Sequence, residues 1–464
     1  MSKIITRFAP SPTGYLHIGG IRTALINHLI VEKNKTEFPD SKFFLRIEDT
    51  DKKRSKDEYF QSIVKSLKWL NIQWDGNIYK QSENINKHIE IANELLRIKG
   101  AYKCICTTEE LEERRKKNLL KGLSLKKLCN NCEGDPNIQK LEKDFCIRIK
   151  IEKSNFTEID DKIQGKIKIS NDELDNFILL RKDGTPTYML SVVVDDYLMG
   201  ITHIIRGDDH LNNAFRQFHL YKNLGWIVPK FAHIPLMFGD DGKKLSKRHG
   251  SIEVLDFKNK GYLSEAIVNY LAKFGSSNDK DEVLQKKQII YNFNFNSIVK
   301  SPSRFDYNKL NFINSLYLNE INDEDLLREL KENFNLKIKN NLVDLILKLI
   351  NLYKKRSHNI EELNKNIKSF INFEIAEYKK VSSENEKKIL NQFFIYINNE
   401  NDWSKDKIEK NLKEFVNQNN IKFSHLAEPL RMILTGSKKG PSLSEIMIIL
   451  EKKETISKIN KFLI

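Results

Sequence analysis

Apolar residues fall into two regimes along the chain. In the first, short apolar runs alternate with loops that carry glycine and proline. Ile4–Phe8 is such a run, and Pro10 and Pro12 stop it from continuing as regular strand. From Gly19 onward Ile21, Leu25, Leu29 and Ile30 form a helical stripe, which predicts a helix to about Lys33. Lys42–Ile47 again has the pattern of a strand. The order strand, loop, helix, strand predicts the opening of a parallel nucleotide-binding sheet. Residues 55–100 predict helices, with Ile63, Leu67 and Leu70, then Ile91, Leu95 and Ile98, as apolar faces. Residues 101–190 change character, with cysteines, a charged helix and short strands. Strand-like runs return at Ser191–Val194 and Ile201–Arg206. One sheet interrupted by an insertion is expected.

The second regime is helical. Asp325–Glu332, Leu342–Tyr353 and Ile408–Val416 carry apolar residues at three- and four-residue spacing with charge between them. Glycine marks the change. Seventeen of the 19 glycines lie at or before Gly275, and only Gly436 and Gly440 follow. An α/β part to about residue 300 and a helical remainder are therefore expected.

Composition narrows the class. At 464 residues the chain is long enough for two to four domains. With 40% hydrophobic and 30% charged residues it matches neither a disordered tail nor a membrane protein. Its apolar runs, such as Phe177–Leu180, are far short of the roughly 18 residues of a span. The N-terminus has no basic stretch followed by an apolar core, so no signal peptide is expected, and a cytoplasmic location is the expectation. The formal charge of +15 favours a polyanionic partner without specifying one.

Two segments carry chemistry. Pro10-Ser-Pro-Thr-Gly-Tyr-Leu-His-Ile-Gly-Gly20 ends a strand, turns on glycine and opens a helix. Bare backbone at a helix start lets a phosphate approach N–H groups and the positive end of the dipole. His17 could donate to a phosphate oxygen. The alternative is an ordinary strand–helix turn. In the second segment, Lys243-Lys-Leu-Ser-Lys-Arg-His-Gly250 follows the Gly239-Asp-Asp-Gly242 turn. Its four cations between glycines suit a loop that closes on a polyphosphate, or a solvated basic loop. Four of the five cysteines form Cys104-x-Cys106 and, after 22 intervening residues, Cys129-x-x-Cys132. Two close pairs across a loop suit a tetrahedral thiolate zinc site, with four reduced thiols as the alternative. Cys146 is expected on a strand, in the core.

Together the two segments resemble the HIGH and KMSKS signatures of class I aminoacyl-tRNA synthetases. The last histidine of the first is Gly20 here, and the methionine of the second is Leu245. Arg46-Ile-Glu-Asp-Thr-Asp51, Asp183-Gly-Thr-Pro-Thr-Tyr188, Val194-Asp-Asp196, Arg206-Gly-Asp-Asp-His-Leu211 and His233-Ile-Pro-Leu236 follow in the order of the glutamyl branch. Phe305-Asp-Tyr-Asn-Lys-Leu310 and Pro429-Leu-Arg-Met-Ile-Leu-Thr-Gly436 extend the resemblance towards the C-terminus.

The resemblance implies a fold: a Rossmann-like parallel-sheet catalytic domain (1–100 and 191–238) with an inserted connective, acceptor-stem domain (101–190). A stem-contact region with the KMSKS-like loop (239–318) and an all-helical anticodon-binding domain (319–464) follow. It implies ATP-dependent formation of glutamyl-adenylate and transfer of glutamate to its tRNA, by a monomer with no membrane partner. ATP enters with Mg2+, against Pro10, His17, Gly19, Gly20, Lys244, Ser246 and Lys247, with His17 and Lys247 as the catalytic pair. Arg7, Ser11, Tyr188 and Arg206 are implied for glutamate, with Glu48 for its ammonium. Cys104, Cys106, Cys129 and Cys132 would hold a structural Zn2+. Two other readings stay open here. One is a non-discriminating enzyme that also charges glutamine tRNA with glutamate. The other is a catalytically inactive RNA-binding relative.

Overall fold

The structure, a computed structural model, describes residues 2–121, 129, 132–239, 241–243, 245, 253–276 and 282–464. It divides into two compact units, Met1–Phe257 with Ile267–Asp306, and Lys258–Ala266 with Tyr307–Ile464.

The first unit opens with β1 (Ile5–Phe8), α1 (Ile18–Lys35) and β2 (Lys42–Ile47), as the apolar pattern predicts. β1 and β2 are parallel, and a right-handed crossover through α1 is the ordinary way to make such a pair. α1 buries residues on most of its sides, among them Ile21, Leu25, Asn27 and Leu29, so it lies inside the unit rather than on its surface. The helical stretch expected over 55–100 is α2 (Asp57–Trp69) and α3 (Ile85–Arg97). Between them β3 (Tyr79–Lys80) extends the sheet in the order β1–β2–β3.

The insertion follows. β4 (Ala101–Cys104), α4 (Thr108–Leu120), the single turn α5 (Pro136–Gln139) and β5 (Cys146–Ile149) come first. The hairpin β6 (Phe156–Asp161) and β7 (Gly165–Ser170) and the strand β8 (Ile178–Leu180) complete it. β4, β5 and β8 form an antiparallel sheet. α4 is launched by a reciprocal cap in which Thr107 and Glu110 satisfy each other's backbone N–H groups.

The chain then returns to the parallel sheet by a route the pattern did not predict. Ser191–Val194, expected as a strand, lies in the helix α6 (Tyr188–Leu198). Three consecutive valines favour extended backbone, but α6 is buried at every position from Leu190 to Asp196. A helix buried on nearly all sides shows no amphipathic period, so its sequence reads like a buried strand. The strand that follows is β9 (His203–Gly207), then α7 (Leu211–Asn223) and β10 (Lys230–Ile234), parallel to β9. The Thr202 N–H donates to the Ile5 carbonyl at 3.0 Å, which sets the β9–β10 pair beside β1. The unit ends with β11 (Met237–Phe238), α8 (Val254–Asn259), α9 (Ser264–Lys273), α10 (Lys286–Asn292) and β12 (Ser303–Arg304). α8 and α9 are shared across the division between the units.

The second unit is helical, as its spacing predicts: α11 (Tyr307–Glu320), α12 (Asp323–Asn333), α13 (Val343–Lys354), α14 (Ile360–Asn372) and α15 (Ile375–Val381). α16 (Glu384–Asn398), α17 (Lys405–Gln418), α18 (Phe423–Thr435) and α19 (Leu443–Leu463) follow. Leu330, Ile350, Ile367, Phe393, Leu426 and Ile459 sit at the centre of one core. No described helix is long and apolar enough to cross a membrane.

Candidate active site

In an open parallel sheet, ligands lie beyond the carboxyl ends of the strands, where the strand order reverses. Here that point is between β1 and β9, and a cavity of about 570 Å³ opens there. Arg7 comes from the end of β1, Glu48 from just after β2, Arg206 from β9 and Tyr188 from the start of α6. Ser11, His17, Gly19 and Gly20 complete the part of the lining predicted from sequence. Pro10 lies just behind: its carbonyl accepts the Glu48 N–H at 3.1 Å.

Charge is fixed beneath the cavity. Asp196 on α6 accepts from Arg7 Nε at 2.8 Å and Nη2 at 3.2 Å. The same carboxylate accepts from Arg46 Nη1 at 2.5 Å, and Arg46 Nη2 donates to Glu48 at 3.2 Å. Arg46 and Asp196 have no exposed surface and Arg7 almost none. The two carboxylates respond differently. Burial pushes the Asp196 carboxyl up, but Arg46 and Arg7 more than offset this and hold it below the usual range. For Glu48 burial wins over Arg46 and Arg7, and its pKa is raised. Asp196 is therefore fully partnered, whereas Glu48 would gain from a further cation. Asp195, next in sequence, turns to His88 Nε2 at 2.7 Å and Gln81 at 2.9 Å. Burial also raises the Tyr188 pKa, with Glu48 adding to the effect, so its hydroxyl stays protonated.

Arg206 faces the cavity from the other side. Its Nε donates to His233 Nε2 at 3.2 Å and its Nη2 to the His210 carbonyl at 3.2 Å. Its Nη1 is buried and has no partner among the described residues.

At the mouth, α1 begins with His17 as its N-cap. His17 Nδ1 accepts from the Gly20 N–H at 3.2 Å. An accepting Nδ1 places the neutral ring's proton on Nε2. A Cβ at Gly20 would meet Leu16 at 2.9 Å, and one at Gly19 would meet His17 Nδ1 at 3.2 Å. A side chain at either position would crowd Leu16 or the His17 ring, so the start of the helix calls for glycine. Lys244, Ser246 and Lys247 lie outside the described residues; Leu245, within the same motif, lines the cavity.

The four predicted cysteines come together in the insertion. The sulfurs of Cys104, Cys106, Cys129 and Cys132 lie within 4.8 Å of one another. Cys104–Cys129 is 3.4 Å, Cys106–Cys132 3.6 Å and Cys106–Cys129 3.8 Å. A tetrahedron with Zn–S bonds of about 2.3 Å has edges of about 3.8 Å, so the set fits a dication at its centre. Cys146 is buried on β5, opposite Cys104.

The sequence reading assigned no role to Asp196, Asp195, His88, Asp161 or His233. The available signal was two adjacent aspartates ending an apolar run, which is unusual unless both are paired.

The comparisons follow this division. Residues 3–312 match the family described as tRNA synthetases class I (E and Q), catalytic domain, and residues 323–463 match an anticodon binding domain. Fold and cavity thus define the catalytic part of a class I tRNA synthetase. The chain is 40% identical over 463 residues to glutamate–tRNA ligase 2 of Wolbachia pipientis, covering 99% of each. It is 40% identical to glutamate–tRNA ligase 2 of Zymomonas mobilis, covering 99% of this chain and 96% of that one. The solved glutamate–tRNA ligase of Elizabethkingia meningosepticum superposes with a TM-score of 0.81 at 29% identity, covering 100% of this chain and 99% of the other. The chain belongs to the glutamate–tRNA ligase family.

Removing the shared carboxylate should expose how much depends on it. Asp196→Ala leaves two buried arginines facing each other and is expected to lower the unfolding free energy by about 3–5 kcal/mol. Denaturant titration measures this. A loss below about 1 kcal/mol, the size for an exposed pair, would contradict the central position given to Asp196.

Proposed function

We propose that the chain attaches glutamate to its tRNA in two steps for protein synthesis, which places it in the cytoplasm. One observation carries this reading. The cavity is lined by three arginines, Arg7, Arg22 and Arg206, and two carboxylates, Glu48 and Asp209. Arg22 is held by the Pro235 and Phe274 carbonyls at 2.9 Å each, and Arg7 and Arg206 are left facing Glu48. Glutamate carries the reverse set, two carboxylates and one ammonium. Few other metabolites of this size have that complement of charges.

In the first step an oxygen of the glutamate α-carboxylate attacks the α-phosphorus of ATP. The bond to the bridging oxygen breaks and pyrophosphate leaves. In the second, the terminal 2′-hydroxyl of the tRNA attacks the carbonyl carbon of the adenylate, and AMP leaves. Neither step needs a covalent enzyme nucleophile, so catalysis is positioning and charge stabilisation. Arg7 takes the side-chain carboxylate, assisted by Tyr188, Ser11 and Arg206. Glu48 takes the ammonium, a further cation that opposes the burial holding its pKa up. His17 Nε2–H, the N-terminus of α1 and the bare backbone at Gly19 and Gly20 receive the nucleotide, which enters as its Mg2+ complex. Pro10 shapes the turn before it. Lys247, with Lys244 and Ser246, neutralises charge as pyrophosphate departs.

The four cysteines hold a structural zinc ion. Packed this closely, the thiols cannot all ionise alone: hydrogen bonds from Cys129 and Cys146 draw the Cys104 thiol down. The Cys104 contact, with burial, pushes Cys129 up. A dication held by the four sulfurs would remove that conflict and would link Cys104 of β4 to Cys129 and Cys132.

Aminoacylation with labelled glutamate, on separated glutamate and glutamine tRNAs, tests the reaction. Charging of glutamate tRNA is expected, and charging of neither would refute the reading. Lys247→Ala should reduce adenylate formation at least about 100-fold while leaving tRNA affinity within about threefold. Equal losses in both would contradict its role. Elemental analysis of protein purified without chelator should find one zinc per chain, and Cys104→Ser should abolish it. Absence of zinc in the unsubstituted protein would refute the metal site.

A further inference from the structure

Beneath Arg206 lies a buried hydrogen-bonded chain to which the two-step reaction assigns no role. Arg206 on β9 and His233 on β10 are register partners in adjacent parallel strands. Arg206 Nε donates to His233 Nε2 at 3.2 Å, and His233 Nδ1 meets Asp161 Oδ2 at 2.6 Å. Asp161 ends β6, in the insertion, 72 residues before His233 in sequence. Asp161 is 2% exposed, His233 not at all and Arg206 6%.

The proton positions in this chain are determined. Asp161 also accepts the backbone N–H groups of Ile163 at 3.0 Å, Gln164 at 2.9 Å and His233 at 3.1 Å. Burial pushes its carboxyl up, but the His233 bond and these N–H groups outweigh it and keep it ionised. An ionised carboxylate only accepts, so His233 Nδ1 carries a proton. The Nε2 facing Arg206 N–H must then be the lone pair, and the ring is neutral. Burial and Arg206 both disfavour the imidazolium, against the pull of Asp161.

A guanidinium is planar, so fixing two of its nitrogens fixes the third. His233 holds Nε and the His210 carbonyl holds Nη2. Nη1 is left buried and without a partner among the described residues, on a side chain that lines the cavity. A buried donor left unmet is destabilising, so its persistence points to a ligand.

We propose that Asp161 and His233 are positioning residues that aim Arg206 Nη1 at a carboxylate of bound glutamate. This rests on the reading of the cavity as the glutamate site. The hairpin β6–β7 thereby presets the arginine across the boundary between insertion and sheet.

Asp161→Asn tests the mechanism directly. The amide still accepts from backbone N–H groups but presents an NH2 to His233 Nδ1. The ring must then move its proton to Nε2, opposite the Arg206 N–H. Nitrogen NMR of His233 should show the Nδ1–H tautomer in the unsubstituted protein and Nε2–H in the variant. In ATP–pyrophosphate exchange with tRNA present, the KM for glutamate should rise about ten- to a hundredfold. The KM for ATP should stay unchanged. His233→Gln keeps an acceptor for Arg206 and should stay near the unsubstituted KM, whereas His233→Leu should behave as Asp161→Asn. An unchanged glutamate KM in the variants, or glutamate and ATP KM rising together, would overturn the proposal. If Asp161→Asn does not fold, as a thermal melt would show, the two His233 variants decide by the same criteria. An unsubstituted enzyme that supports no glutamate-dependent exchange would instead overturn the reading of the cavity.

Discussion

Asp196 accepts hydrogen bonds from Arg7 and Arg46 at a position with no exposed surface. Desolvating each ion is expensive by several kcal/mol, and only close, hydrogen-bonded geometry offsets it. The arrangement therefore constrains the backbone around it. β1 and β2 must lie side by side to bring Arg7 and Arg46 to one place. A third element must carry a carboxylate under both. That element is α6, and the demand explains its character. It has to run through the interior, so it carries Val192, Val193 and Val194 where a surface helix would carry charge.

The same constraint divides labour among the charged groups. Asp196 spends both oxygens on arginines and Asp195 both of its own on His88 and Gln81. Neither is left to meet a substrate. Glu48 has one short partner in Arg46 and a raised pKa, and Arg206 has a donor to spare. Substrate-facing capacity thus survives only at groups whose scaffold contacts are incomplete. The buried carboxylates beside them, Asp195 and Asp196, are orienting neighbours with both oxygens engaged.

How much of this was legible follows from what period and motif can encode. β1, α1 and β2 were readable because Ile21, Leu25 and Leu29 recur on one side and Pro10 and Pro12 bound the strand. The helical unit was readable because its helices keep a wet face. α6 was misread because it has none. At the cavity, residues within motifs, such as Arg7, His17, Glu48 and Arg206, could be named individually and are brought together. What lies behind them could not. The Asp161–His233 contact spans 72 residues and the Arg7–Asp196 pair 189. Such pairings are set by strand order and register, and neither leaves a local periodicity.

On the proposed reading of the cavity, its arginines also decide which amino acid is admitted. Glutamine has the length of glutamate and one negative charge fewer. In the same pose it would leave a buried arginine facing a neutral amide, whose NH2 would oppose a guanidinium N–H. A site whose buried polar groups are left unpaired by an analogue rejects that analogue far more strongly than a pocket that differs only in apolar size. That penalty operates only if the arginines cannot turn aside to other partners. Asp196 grips two of Arg7's nitrogens, and His233 and the His210 carbonyl grip two of Arg206's. Neither side chain is free to relax around the wrong substrate. On that reading, the contacts beneath the cavity convert a one-charge difference into discrimination at the binding step, without calling on a second hydrolytic site.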